Sequence, residues 1–257
     1  MPAFVRKGAP ALLGAGTLCA ALLLTGCAHP APTTPPTTVK TSAAPTPSGA
    51  TEATDARPDG VSRIPGIGPL TQARLPDGTA QALVVTGDTE NSNTATAVLH
   101  QRGPDGRWYQ AGGPWSARNA LKGWTADHVA GDLRTPTGVF RLGDAGGRLP
   151  DPGARLPYDE DPEFAISGTG FHGEPLEGSF DHVIAIDYNR VPGRTPLDKE
   201  RPLGAGKGGG VWIHVDHGGP TQACVALDRD DLRTLLVALD PAAEPVVVMG
   251  PAPELAR

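Results

Sequence analysis

The chain has 257 residues, with 28 acidic side chains against 22 basic ones and a formal net charge of −6. That balance, with no basic run, argues against a nucleic-acid partner, and three cysteines are too few for a disulfide framework. The 34 glycines and 28 prolines cut the sequence into short segments rather than long helices.

The N-terminus reads as an export signal. Arg6 and Lys7 are followed by an apolar run from Ala9 to Leu24, too short and too rich in small residues to span a bilayer. The run ends in Leu24-Thr25-Gly26-Cys27, which resembles the lipobox of bacterial lipoproteins. The resemblance implies removal of residues 1–26 and a diacylglyceryl thioether on Cys27. Several acyl chains on one residue make a stable anchor, tethering the protein to the outer face of the cell membrane. Residues 27–68 follow as a tether dominated by Pro, Thr, Ala and Ser, and no aromatic residue occurs between Phe4 and Trp108. Such a stretch cannot bury enough apolar surface to offset its ordering entropy, so an extended spacer reaching toward the cell wall is expected.

Residues 69–257 are enough for one domain with a proper core, without internal repeats. Short apolar or alternating runs predict strands at 82–86, 95–101, 107–111, 138–142, 182–188, 211–215 and 245–249. The fold class is therefore mainly β. One helix is clear: Asp228 caps "RDDLRTLLVALDP", with Leu232, Leu235, Leu236 and Leu239 at helical spacing, acidic Asp230 and Asp231 in the first turn, and Pro241 as terminator. Two long glycine-rich loops, "GDAGGRLPDPGARLPYDEDP" and "GAGKGGG", are candidate binding walls. Asp181 and Asp187 flank an alternating strand and are expected to be solvated. Trp212 and Phe140 are assigned to the core. Trp115, Trp124 and Tyr158 fall in loops, as covers of an edge or as stacking surfaces for a glycan or peptide.

Of the cysteines, Cys19 leaves with the signal and Cys27 is committed to lipid, so Cys224 has no intramolecular partner. It is an intermolecular bridge, a buried inert thiol or a reactive one. A neutral thiol is a poor nucleophile at pH 7, and chemistry needs a neighbour that takes its proton. His214 ends the apolar run Val211-Trp212-Ile213, ten residues before Cys224, and a turn through Gly218-Gly219-Pro220 permits the chain to return the sulfur to the imidazole. His217 is the alternative base. His214, His217, Cys224 and His172 also have the ligand types of a zinc site. However, two histidines three apart on a strand leaving into a turn face different ways, and no Cys-x-x-Cys pair is present. No metal and no cofactor are expected.

Three segments in this order, "GDLRTPTGVF" at 131–140, "VWIHV" at 211–215 and "PTQACVAL" at 220–227, resemble the L,D-transpeptidase catalytic-domain family. These are cysteine enzymes that cross-link peptidoglycan. The resemblance covers about residues 82–249 and implies a β-sandwich or barrel with one helix after the catalytic cysteine. It implies Cys224 as nucleophile, His214 as general base and the Val215 carbonyl as the group that orients the imidazole. Backbone N–H groups of Ala223 and Cys224 would stabilise an oxyanion, and His172 and Thr221 would line the substrate groove. The implied reaction acylates Cys224 with a stem peptide, releases D-alanine and passes the acyl group to a neighbouring stem, giving a 3→3 cross-link. Transfer to water at the same site makes an L,D-carboxypeptidase. The sequence departs from the family pattern at Gln222-Ala223, where His-Gly is usual, and at Ala226, and its His-to-Cys spacing is shorter. Alanine takes positive φ less readily than glycine, and these departures motivate a non-catalytic, wall-binding lipoprotein as the rival reading. The expected partners are peptidoglycan stem peptides and the membrane, through the lipid, with the protein a monomer.

Overall fold

A computed structural model describes residues 59–257; the segments expected to be an export signal, a lipidated Cys27 and a tether lie, up to residue 58, outside the described residues. The described part is mainly β. In chain order the strands are β1 (Gln81–Gly87), β2 (Thr94–Arg102), β3 (Trp108–Arg118), β4 (Trp124–Thr125), β5 (Thr135–Pro136), β6 (Gly138–Arg141), β7 (Ala145–Gly147), β8 (Tyr158–Glu160), β9 (Val183–Ala185), β10 (Trp212–Val215), β11 (Val225–Leu227) and β12 (Val246–Pro251). The helices are α1 (Pro69–Gln72), α2 (Arg229–Ala238) and α3 (Ala252–Leu255). Ten strands form one mixed sheet in the order β6-β12-β1-β2-β3-β11-β10-β9-β7-β8, and β4 pairs with β5 apart from it.

The sheet is curled, and its connectivity requires this. Strands β6 and β7 stand eight places apart in the order, which on a flat sheet is about 38 Å. Residues 142–144 alone join them, and that link spans about 14 Å at full extension. The two regions of the sheet therefore come together, as the bonds from Asp187 N–H to Arg141 O and from Ala185 N–H to Asp144 O record.

Alternation along the strands sorts the core. Leu83 and Val85 of β1, Val247 and Met249 of β12, Ile213 and Val215 of β10, and Val225 and Leu227 of β11 point into one large apolar cluster. The α2 leucines at 232, 235, 236 and 239 close it. Ala82, Val84, Val246 and Val248 face the other way, into a smaller cluster with Ile64, Ile67, Trp108 and Leu255. The central pair β1–β12 is thus buried on both faces, and "ALVV" and "VVV" read as continuous apolar runs for that reason. Helix α2 starts where expected, with the Asp228 carboxylate accepting from Asp230 N–H.

Several expectations change. The packed unit begins before residue 69: Val61 exchanges backbone bonds with Trp108, and Ile64 and Ile67 are buried, so about ten residues assigned to the tether belong to the domain. Strand β3 runs on past Ala111 to Arg118. The Gly112-Gly113-Pro114 interruption is absorbed by register shifts opposite residues 97–100 of β2. Trp124 is fully buried in the main cluster and offers no stacking surface. Asp181 and Asp187 are not solvated. Asp181 pairs with Arg148 and Arg229. Asp187 shares Arg190 with Asp144, and all three of these side chains are under a tenth exposed.

Candidate active site

Strands β10 and β11 run parallel and adjacent, with Ile213 opposite Val225 and His214 opposite Ala226. Because Ile213, Val215, Val225 and Leu227 enter the core, the two-residue period turns Trp212, His214 and Ala226 to the opposite face. Cys224, one residue before β11, continues that row beside Trp212. Both His214 and Cys224 line a cavity of about 470 Å³ on this face. That volume suits a small ligand or a peptide end.

The nine residues joining β10 to β11 (216–224) carry no helix, fewer than a parallel connection ordinarily uses. They arch over the open face as a flap. Its root is fixed by pairing of Thr221 with Ala120, Leu121 N–H donating to Thr221 O and Thr221 N–H to Asn119 O. The Thr221 hydroxyl then donates to Cys224 O at 2.6 Å, closing the turn that presents the sulfur. A second hydroxyl, that of Thr135 in β5, reaches the same carbonyl at 3.4 Å while accepting from Ala120 N–H. Nothing in the sequence marks Thr135 for this contact with the Cys224 turn beyond its place in the "RTPTG" run.

The imidazole is held through one nitrogen. His214 Nδ1 lies 2.9 Å from Val215 O. A carbonyl only accepts, so Nδ1 carries the proton and Nε2 is left as an acceptor. The edge of the Phe180 ring packs on the imidazole at 5.5 Å. Burial pushes the His214 pKa down to about 4, partly opposed by the Val215 carbonyl. Burial likewise pushes the Cys224 thiol up to about 11, although Trp212 N–H points at the sulfur. The resting site thus contains a neutral thiol and a neutral imidazole. The sulfur's hydrogen bonds run to backbone, from Trp212 N–H at 3.4 Å and to Gly210 O at 3.8 Å, and none joins it to His214 among the described residues. The thiol is therefore not pre-ionised by the histidine, contrary to what a simple Cys–His dyad predicts.

The remaining candidates divide. Ala223 lines the cavity next to Cys224. It does not take a positive φ, which among described non-glycine residues occurs only at Leu133, Asn189 and Glu244. Alanine at 223 thus carries no positive-φ strain. Gln222 is exposed at the rim. His172 is exposed and does not line the cavity; its loop meets the cavity through Gly170 and Phe171 instead. The "GAGKGGG" loop does form a wall, through Gly208, Gly209 and Gly210, whereas the long loop at 143–162 does not. His217 folds back from the flap to stack on His214, with ring centroids 5.7 Å apart and 11° between planes. No group of three or more His, Cys, Asp or Glu side chains placed to hold a metal ion occurs among the described residues. No family model, curated protein or solved structure matches this chain.

Proposed function

We propose that this protein is an L,D-transpeptidase-like cysteine acyltransferase, exported, lipid-anchored through Cys27 and acting as a monomer on peptidoglycan stem peptides. The observation that carries the reading is the placement of an imidazole with a committed Nδ1–H on β10 and an unpaired thiol at the entry to the adjacent β11, opening into one cavity. The resemblance of the three segments at 131–140, 211–215 and 220–227 supplies the substrate class and the finer fold assignment.

Acylation starts from the neutral pair. In this reading the Cys224 side chain rotates away from Gly210 O and passes its proton to His214 Nε2. His214 takes the proton as sulfur attacks the carbonyl between the L-centre of the stem's diamino acid and D-alanine. Backbone N–H groups of Ala223 and Cys224 face the oxyanion, an effect of about 2.7–4 kcal/mol per donor in enzymes where one was removed. The proton passes from His214 to the departing amine, D-alanine leaves, and a thioester remains on Cys224. Transfer to an amine completes a cross-link, and transfer to water completes a carboxypeptidase cycle. The raised thiol and its backbone bonds favour one rival, a wall-binding protein that keeps the cavity without the chemistry.

Intact mass after incubation with a stem tetrapeptide, or with a carbapenem as an acylating probe, separates the two. A covalent adduct that disappears in Cys224→Ala is expected. A chain that binds the tetrapeptide reversibly and never gains mass is the binding module.

A further inference from the structure

The proposed chemistry so far leaves one buried pair unused. His217, 6% exposed, brings Nδ1 to 3.3 Å from Oε1 of Glu174, itself 12% exposed. The approach is that of an ion pair rather than an aligned hydrogen bond, and neither atom has a hydrogen-bond partner. The carboxylate is seated by two glycines. A Cβ on Gly170 or on Gly219 would collide with Oε1, so with Glu174 in this rotamer the loop and the flap approach the carboxylate through positions that lack side chains. Glu174 Oε2 accepts from His172 N–H at 2.7 Å. Burial alone would raise this carboxyl; its own and the His172 backbone N–H groups, with the neighbouring His217 and His172 rings, outweigh it and hold it below the usual range. The other charged neighbour, Asp216, is engaged by Arg118 at 3.1 Å.

The cavity has two walls, and this pair belongs to one. Residues 128–133 and the glycine loop form the first, joined by Ala130 N–H donating to Gly206 O and by the Tyr188 hydroxyl at Lys207 O. The 166–180 segment and the flap form the second, joined by Glu174 and His217. The Cys224 sulfur touches the first wall at Gly210, and His217 lines the cavity from the second. An anionic carboxylate beside Nδ1 favours the proton there and leaves His217 Nε2 as an acceptor, just as Val215 O does for His214.

Resting on the acyl-transfer reading, we propose that His217 is a second catalytic base, serving the incoming amine, and that Glu174 is its positioning residue. The acceptor arrives as an ammonium ion along the second wall and gives a proton to His217 Nε2. The free amine attacks the thioester carbonyl, forming the C–N bond. The tetrahedral adduct loses its second N–H proton to His214 Nε2, the C–S bond breaks, and His214 returns that proton to the sulfur. Thioester and ammonium thus become amide and thiol, with one proton released from His217 to solvent. Two bases are needed because the amine sheds two protons, of which the sulfur takes back one.

The test uses the full chain, a stem tetrapeptide donor and a primary amine acceptor, with thioester formation read by intact mass and transfer by product. At pH 7, His217→Gln is expected to transfer the acyl group about a hundredfold more slowly, and to form thioester only several-fold more slowly, the smaller loss coming from the imidazole it unstacks at His214. Glu174→Gln, which keeps the shape of the wall, should show a smaller loss in the same step and covers the case of a misfolded His217 variant. Raising the pH from 7 to 9 increases the free fraction of an amine of pKa about 10.4 by roughly a hundredfold, and transfer by His217→Gln should rise in step while wild type gains far less. Equal slowing of both steps, or normal transfer in both variants, overturns the assignment. Absence of any adduct on wild type overturns the acyltransferase reading itself, and this assignment with it.

Discussion

At the scale of single residues the site is poised by burial rather than by charge. Cys224 is raised to about 11 and His214 lowered to about 4, so neither group ionises alone near neutrality, and in the proposed acyl transfer the proton must move as the sulfur attacks. Two consequences are measurable. Iodoacetamide should alkylate folded Cys224 far more slowly at pH 7.5 than it alkylates free cysteine, of pKa near 8.5. The rate should climb about tenfold per pH unit toward a midpoint about 11; a midpoint below 8.5 would mean that a cation, not burial, controls the sulfur. Acylation by donor, in contrast, needs only a neutral His214. Its rate should stay level from pH 8 down to about 5 and fall through a limb near pH 4. A limb near 6.5, the ordinary histidine value, would show that the imidazole is solvated when the proposed acyl transfer occurs.

Among the elements, the turn before β11 does most to place the Cys224 sulfur. The Cys224 carbonyl is gripped by Thr221 at 2.6 Å and Thr135 at 3.4 Å. Thr221→Val removes the shorter of these bonds and leaves a buried carbonyl with the weaker partner. We expect a loss of about 1–2 kcal/mol in unfolding free energy and slower thioester formation, with donor binding largely kept; an unchanged acylation rate would show that the turn holds its shape without the hydroxyl. The elements also explain what the sequence discloses and what it conceals. The order of His214 and Cys224 around a glycine turn is readable because a strand must end before a flap can return. Strand β11 is concealed. Val225, Ala226 and Leu227 are all buried, so no alternation marks them, and three residues running into the Asp228 cap look like the approach to a helix. Strand β3 is read too short because Gly-Gly-Pro is ordinary turn chemistry, overridden here by pairing along β2. Thr135 reaches the site from the two-residue strand β5, and Phe171 and Glu174 through a loop, on paths set by distant contacts that no local pattern encodes.

For the molecule as a whole, the buried histidines tie stability to pH. His214 is 3% exposed and His100 and His182 are equally hidden; burial lowers all three below the usual histidine value. A lowered folded pKa means that the unfolded chain binds more protons, so stability is complete above about pH 7.5 and is lost as pH falls from 6.5 toward 4. For His214 alone the step from 6.5 to about 4 corresponds to roughly 2–3 kcal/mol lost between pH 7.5 and 4.5. Asp181 has its own, lower window. Burial opposes its charge, but Arg229 and Arg148 more than compensate and hold its carboxyl down, so the stability it contributes is lost only as pH falls below about 4. Urea unfolding of wild type at pH 7.5 and 4.5 should therefore show a loss of about 2 kcal/mol from the histidines above that second window, offset in part by Asp187, whose carboxyl burial raises. His214→Gln, whatever its stability at neutrality, should lose most of the share that His214 supplies. A variant whose pH slope equals that of wild type would place the imidazole in water, and with it the proton acceptor on which the proposed acyl transfer depends.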